Sequence, residues 1–238
     1  IMEKYCGNAY VVGNIGTPYT LMVSKANDES ITVAEISSFQ LETIDEFQPD
    51  VSAVLNITPD HLNRHHNMKC YGDVKISICK NQTENQVCVL NYEDEMLREY
   101  AKGLRCRVVF FSSRRELESG IYLDKNGGIY ISEKGSRKLL LNISSMKLVG
   151  IHNAENVMAA IAISEAVGVP SDLYVEVIKG FDAIEHRIEY VDTIDGVIYY
   201  NDSKGTNTDA SKKALEAMER KTVLIAGGYD KGSEYDDW

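Results

Sequence analysis

Two short apolar runs that end abruptly in polar residues constrain this chain more than any other feature. Ile31 to Ile36, with Glu35 near its end, leads into Ser37-Ser38-Phe39-Gln40-Leu41. Asp50-Val51-Ser52-Ala53-Val54-Leu55-Asn56-Ile57 repeats the pattern and leads into Thr58-Pro59-Asp60-His61. Short apolar runs bounded by turn residues read as buried strands. Together they predict one edge of a parallel sheet, and ligands in open α/β folds bind at the carboxyl ends of such strands.

The remaining segments alternate in the same manner. A helix is expected over Asn67 to Lys80, with Tyr71, Val74 and Ile78 inward and Lys75 beside that face. A strand at Val87-Cys88-Val89-Leu90, a helix from Glu93 to Lys102 and a strand at Arg107 to Phe111 follow. The period then changes. Gly120 to Ile131 reads as a hairpin turning at Asn126-Gly127, and Lys138 to Ile143 as a third antiparallel strand. Helices over Asn153 to Ala166 and Leu173 to Gly180, the second capped by Pro170-Ser171-Asp172, close this unit.

A boundary near Ala183 is expected, with residues 1–183 as the first domain and 184–238 opening a second, Rossmann-like one. The second begins with a hairpin around Asp195-Gly196, a loop from Asn201 to Thr208, a helix from Asp209 to Met218 and a strand at Thr222 to Gly228. The fold class is therefore α/β: a mostly parallel sheet flanked by helices, with a small antiparallel appendage.

A net charge of -11 argues against nucleic acid or a membrane surface as partner. No apolar run is long enough to span a bilayer. Five cysteines without C-x-x-C spacing argue against structural zinc or a disulfide framework and point to a reduced cytoplasm. The chain starts at Ile1 and stops shortly after an apolar run, so a piece of a longer protein is expected.

Several side chains carry possible chemistry. Glu35 is costly to bury unless paired or bound to a metal. Ser37 and Ser38 suit a helix cap. His61, at a strand terminus, is a better functional candidate than His65-His66, which read as a solvated helix start; the spacing fits no zinc pattern. Lys75 is either a snorkelling surface cation or a partly buried amine able to react in its neutral form. Asn153 and Asn156 lie in a first helical turn, where backbone N–H groups are free. The loop from Asn201 to Thr208 precedes a helix and suits an anion. Lys231 offers a cation after the last strand. A magnesium-assisted reaction on an anionic substrate is the expected chemistry. No segment matches G-x-x-x-x-G-K-[ST], so a complete phosphate-binding loop is not present in this sequence.

Taken in order, these motifs resemble the Mur ligase family. The resemblance rests on Gly13-Asn14-Ile15-Gly16, Glu35 through Glu42, Asn56 through His65, and the helix from Tyr71 to Lys75. It continues through His152-Asn153-Ala154-Glu155-Asn156, His186-Arg187, Asn201 through Asn207, and Gly227 through Gly232. The Ser37-to-Leu41 form resembles that of the D-glutamate-adding branch.

The resemblance implies an ATP-dependent ligase of peptidoglycan precursor synthesis, taking UDP-N-acetylmuramoyl-L-alanine and D-glutamate as a cytoplasmic monomer. It implies Glu35, His61 and a carbamylated Lys75 as ligands to two Mg²⁺ ions. Asn14, Ser37, Gln40 and Thr206 then contact substrate, and Asn153, Asn156, Arg187, Asp202 and Lys231 the ATP side. Lys75, His61 and Lys204 are the implied catalytic group, Lys204 on a loop that closes over the reacting atoms.

Asn63 stands where the family commonly has Asp. The family's phosphate-binding loop and most of its third domain are not in this sequence, which implies that the chain alone is inactive. Competing readings are a sister Mur or folylpolyglutamate-type ligase, which residues after Trp238 would decide, and a non-catalytic remnant, which the sequence before Ile1 would decide.

Overall fold

The computed structural model describes residues 1–228 apart from Ala183, Asn207 and Glu219. Its strands are β1 (Ala9–Gly13), β2 (Ile31–Glu35), β3 (Val51–Val54), β4 (Val87–Asn91), β5 (Arg107–Ser112), β6 (Gly120–Leu123), β7 (Gly128–Glu133), β8 (Ser136–Asn142), β9 (Glu189–Ile194) and β10 (Val197–Asn201). Its helices are α1 (Met2–Cys6), α2 (Tyr19–Met22), α3 (Ser38–Leu41), α4 (Leu62–His65), α5 (Met68–Ile76), α6 (Glu95–Ala101), α7 (Ile151–Val167), α8 (Ser171–Gly180) and α9 (Thr208–Glu216).

Six strands form one sheet in the order β3-β4-β5-β6-β7-β8. The first four are mutually parallel; β6, β7 and β8 are antiparallel. The appendage is thus a continuation of the main sheet. Every residue of β4 is buried, as a strand covered on both faces requires. One face packs against α7, whose Ala154, Val157, Met158, Ile161 and Ala162 recur at helical spacing and are all buried. The other face packs a second cluster in which Tyr71 of α5 and Leu97 of α6 lie over Cys88 and Leu90. Pro170 stands at the N-cap of α8 without a side-chain cap, so Ser171 is the first helical residue and not the cap.

Two expectations are corrected. β2 does not form an edge of the main sheet beside β3. It pairs in parallel with β1 in a separate two-stranded ribbon, in which Ile31 still packs against the core while Val33, further along, is 43% exposed. Residues 222–228 form no strand; Val223 and Ile225 are 88% and 94% exposed. An apolar run becomes a strand only where a partner ladder takes its backbone hydrogen bonds, and none is offered among the described residues. No helix among the described residues is long and apolar enough to cross a membrane.

Candidate functional site

Gly13 ends β1 with φ +105°, and a Cβ built there would lie 2.2 Å from the Glu35 carbonyl oxygen. Only glycine allows that approach. The Asn14 backbone N–H then donates to the same oxygen at 2.7 Å, and its Nδ2 donates to Glu35 Oε1 at 3.1 Å. Asn14 and Glu35 are therefore brought together at the carboxyl end of the ribbon, both exposed.

Two residues on, Ser37 caps α3. Its Oγ accepts from the Gln40 N–H, and Gln40 Oε1 accepts from the Ser37 N–H at 2.8 Å. This reciprocal box holds Ser37 and Gln40 as one unit. Ser38, behind them, is buried.

His61 adopts a left-handed conformation, φ 51°, and its N–H donates to Asp60 Oδ1 at 2.9 Å. Its exposed ring lies 3.6 Å from Asp60 Oδ2 and 5.0 Å from the Phe39 ring. His65 departs from expectation. It is 4% exposed, while its neighbour His66 is exposed. Positive φ at both His61 and His66 brackets the four-residue α4 and turns His65 inward.

Asn67 caps α5 by accepting from the Cys70 N–H at 2.9 Å. That helix carries Lys75 to the carboxyl end of β3, where its Nζ donates to the Asn56 carbonyl at 3.1 Å and lies 5.0 Å from the centre of the Tyr71 ring. Burial pulls the Lys75 ammonium below its ordinary range, with Asp60 and Asp94 pulling back. Asp94 is fixed there: it caps α6 and accepts from the Ile57 N–H at 2.7 Å.

His61 and Lys75 thus share the neighbourhood of Asp60, whereas no ion pair links Glu35 to either of them among the described residues. Likewise, no three His, Cys, Asp or Glu side chains converge there on one metal position.

A second group gathers around the entrance of α7. Asn153 turns its Nδ2 back to the Val149 carbonyl at 2.7 Å, and Asn156 is exposed. His152 is held below its ordinary range first by burial, then by Lys213, with Asp202 opposing and Arg187 adding. Asp202 accepts from the Ile188 N–H at 3.0 Å, and the Lys204 N–H donates to the His186 carbonyl at 3.0 Å. The loops holding His186-Arg187 and Asn201-to-Thr206 are therefore laced together. Lys204 and Thr206 are exposed on the second of them. Lys231 lies outside the described residues.

Sequence reasoning missed Asp94, His65 and His152. Asp94 was readable as a helix cap; the inward turn of His65 had no sequence signal. A cavity of about 500 Å³ lined by Glu42, Asn63, Arg64, His65, His66 and Cys70 opens nearby but holds none of the expected site residues.

The family model described as the Mur ligase middle domain matches residues 2–164. The chain is 54% identical, over all 238 residues, to the UDP-N-acetylmuramoylalanine--D-glutamate ligase of Lachnoclostridium phytofermentans, of which it covers 52%. It is 46% identical to the protein of the same name from Clostridioides difficile, covering 100% of this chain and 52% of that one. The chain spans about half the length of the curated relatives it matches.

Among solved structures, MurF from Acinetobacter baumannii superposes with a TM-score of 0.63 at 15% identity, over 87% of this chain and 54% of that one. The MurF ligase of Thermotoga maritima in complex with ADP gives 0.62 at 18%, over 91% and 58%. At those identities the likeness shows the fold, a mostly parallel α/β sheet flanked by helices.

Proposed function

This chain belongs to the Mur ligase family, and from that membership we propose that the protein it comes from joins D-glutamate to UDP-N-acetylmuramoyl-L-alanine using ATP, in peptidoglycan precursor synthesis. The names of the relatives, at 54% identity across the whole chain, favour D-glutamate over the substrates of sister ligases. The observation that carries the chemistry is Lys75, a partly buried amine aimed at the carboxyl end of β3. A cytoplasmic location and a domain division near Ala183, between α8 and the β9–β10 hairpin, belong to the same reading.

Mg²⁺ is seldom caged by protein alone; it takes one or two carboxylates and keeps waters and substrate phosphates as its other ligands. The exposed Glu35 carboxylate, oriented by Asn14, suits such a site. An ammonium at Lys75 does not, but a carbamate does. A neutral lysine amine attacks CO₂, forms an N–C bond and releases a proton, which turns a cation into an anionic oxygen ligand. The lowered Lys75 favours the neutral amine. Glu35, His61 and carbamylated Lys75 would hold two ions. Bound there, magnesium neutralises charge on the phosphoryl oxygens.

The residues of this chain have separable tasks in that reaction. A carboxylate oxygen of the muramoyl-alanine substrate bonds to the γ-phosphorus as the bond to ADP breaks. The amine of D-glutamate then attacks the acyl carbon, phosphate leaves, and the amine's proton is lost. Ser37 and Gln40, locked as one box, present substrate contacts without further ordering. Arg187, Asp202, Asn153 and Asn156 orient the nucleotide, and Lys204 and Thr206 approach the reacting groups on their shared loop.

The test uses the full-length protein. Phosphate release from ATP is expected only when UDP-N-acetylmuramoyl-L-alanine and D-glutamate are both present. Release with L-glutamate or another amino acid in its place refutes the specificity, and no release with any of them refutes the ligase.

A further inference from the structure

We propose that His65 is a positioning residue that locks the substrate-contact segment Ser37–Gln40 to the segment carrying His61 and Lys75; this rests on the function proposed above. His65 Nε2 and Ser38 Oγ lie 3.0 Å apart, and both residues are buried. His65 Nδ1 lies 3.5 Å from Glu42 Oε1. Glu42 is itself gripped by Arg64, whose Nη2 donates to Oε2 at 2.6 Å.

The ring also lies against two aromatic neighbours. Phe39 stacks on it at 5.7 Å and 18°, and Tyr71 lies 5.1 Å away on α5. Phe39 reaches onward to His61, and Tyr71 lies under the Lys75 ammonium. One buried imidazole thus touches a neighbour of each candidate group: Ser38 and Phe39 beside Ser37 and Gln40, Phe39 beside His61, and Tyr71 beside Lys75.

Nδ1 faces the Glu42 carboxylate as an ion-pair contact. Between Nε2 and the Ser38 hydroxyl either group can donate, according to the tautomer, and the link stands in both cases. Serine, histidine and glutamate in this order resemble a hydrolase triad. Ser38 is only 7% exposed, however, at the first position of a four-residue helix. A hydroxyl closed off from substrate cannot serve as nucleophile. What the arrangement fixes is where Ser37 and Gln40 point, because Ser38 lies inside the same capping box.

The experiment compares variants of the full-length protein. H65Q keeps an acceptor near the Nε2 position and so the link to Ser38; H65N keeps only the Glu42 side; S38A removes the link from the other end. H65N and S38A are each expected to raise KM for the muramoyl-alanine nucleotide about five- to tenfold, the loss of one buried hydrogen bond. KM for ATP is expected to stay within about twofold by the same reasoning. H65Q should recover most of the loss, and the H65N/S38A double variant should be no worse than either alone.

Partial unfolding gives a different pattern: kcat falls with the active fraction and both KM values hold. That pattern in S38A, or unaltered kinetics in H65N, overturns the proposal, as does failure of H65Q to recover. A wild-type protein with no ligase activity would instead refute the proposed function. In that case the His65 imidazole nitrogen resonances judge the arrangement: a shift of the Nε2 resonance in S38A relative to the wild type supports it, and an unchanged Nε2 resonance overturns it.

Discussion

Lys75→Ala in the full-length protein is expected to lower kcat by about 10³-fold, the scale of losing a ligand that organises metal-assisted phosphoryl transfer. Acetate or another small carboxylate should restore a measurable part of the rate, because the space left by the side chain opens where a carbamate would sit. Lys75→Met should fall as far and resist rescue, since its side chain refills the space over Tyr71. The sign of the pH dependence follows from the same group. Burial draws the Lys75 ammonium down, so the neutral amine is reached at lower pH than in an exposed lysine. Only that form takes up CO₂. Protein stripped of CO₂ should therefore recover more activity at higher pH under a fixed CO₂ pressure. Retention of activity within about tenfold by Lys75→Ala would remove the carbamate from the mechanism.

Gly13→Ala should be one of the most damaging small changes among the described residues. The new methyl would lie 2.2 Å from the Glu35 carbonyl oxygen, a backbone atom that no rotamer change relieves. The residue would also be held at φ +105°. Strained backbone of that kind costs about 1–3 kcal/mol before the clash is counted. We expect a total loss of at least about 3 kcal/mol in urea unfolding of the segment. The damage should reach function, because the β1–β2 register holds Asn14 against Glu35. Gly16→Ala is the control: φ is also positive, at +62°, but nothing lies within 4 Å of the new methyl. It should cost about 1 kcal/mol by backbone strain alone. Equal costs at the two positions would show that the approach to Glu35 is not tight.

The main sheet was legible because its chemistry is local. Val87 to Leu90 is apolar throughout and becomes a strand buried on both faces; Asn126-Gly127 has the turn chemistry of a hairpin and sits between β6 and β7. The α7 stripe is equally plain in sequence. What failed depended on neighbours that sequence spacing does not reveal. Val33 and Ile225 are as apolar as Val89, yet the first is exposed and the second pairs with no strand among the described residues.

The site was legible only in its residue types. Asp60 and His61 announce a polar strand end. That Lys75 folds back to the Asn56 carbonyl, and that Asp94 lies close enough to act on it, follows from packing of α5 and α6 onto the sheet. His65 and His66 are identical in type and adjacent in sequence. Two positive-φ residues flank α4, and the chain there buries one histidine and leaves the other in water, a distinction only the backbone makes.

The central chemical claim is phosphoryl transfer to a carboxylate, followed by displacement by an amine. It is tested most directly by giving the full-length protein a muramoyl-alanine substrate labelled with ¹⁸O in both carboxylate oxygens, together with ATP and D-glutamate, and weighing the released phosphate. One ¹⁸O atom in each phosphate is predicted, carried across when the acyl–oxygen bond breaks. Phosphate free of label would contradict the acyl-phosphate route.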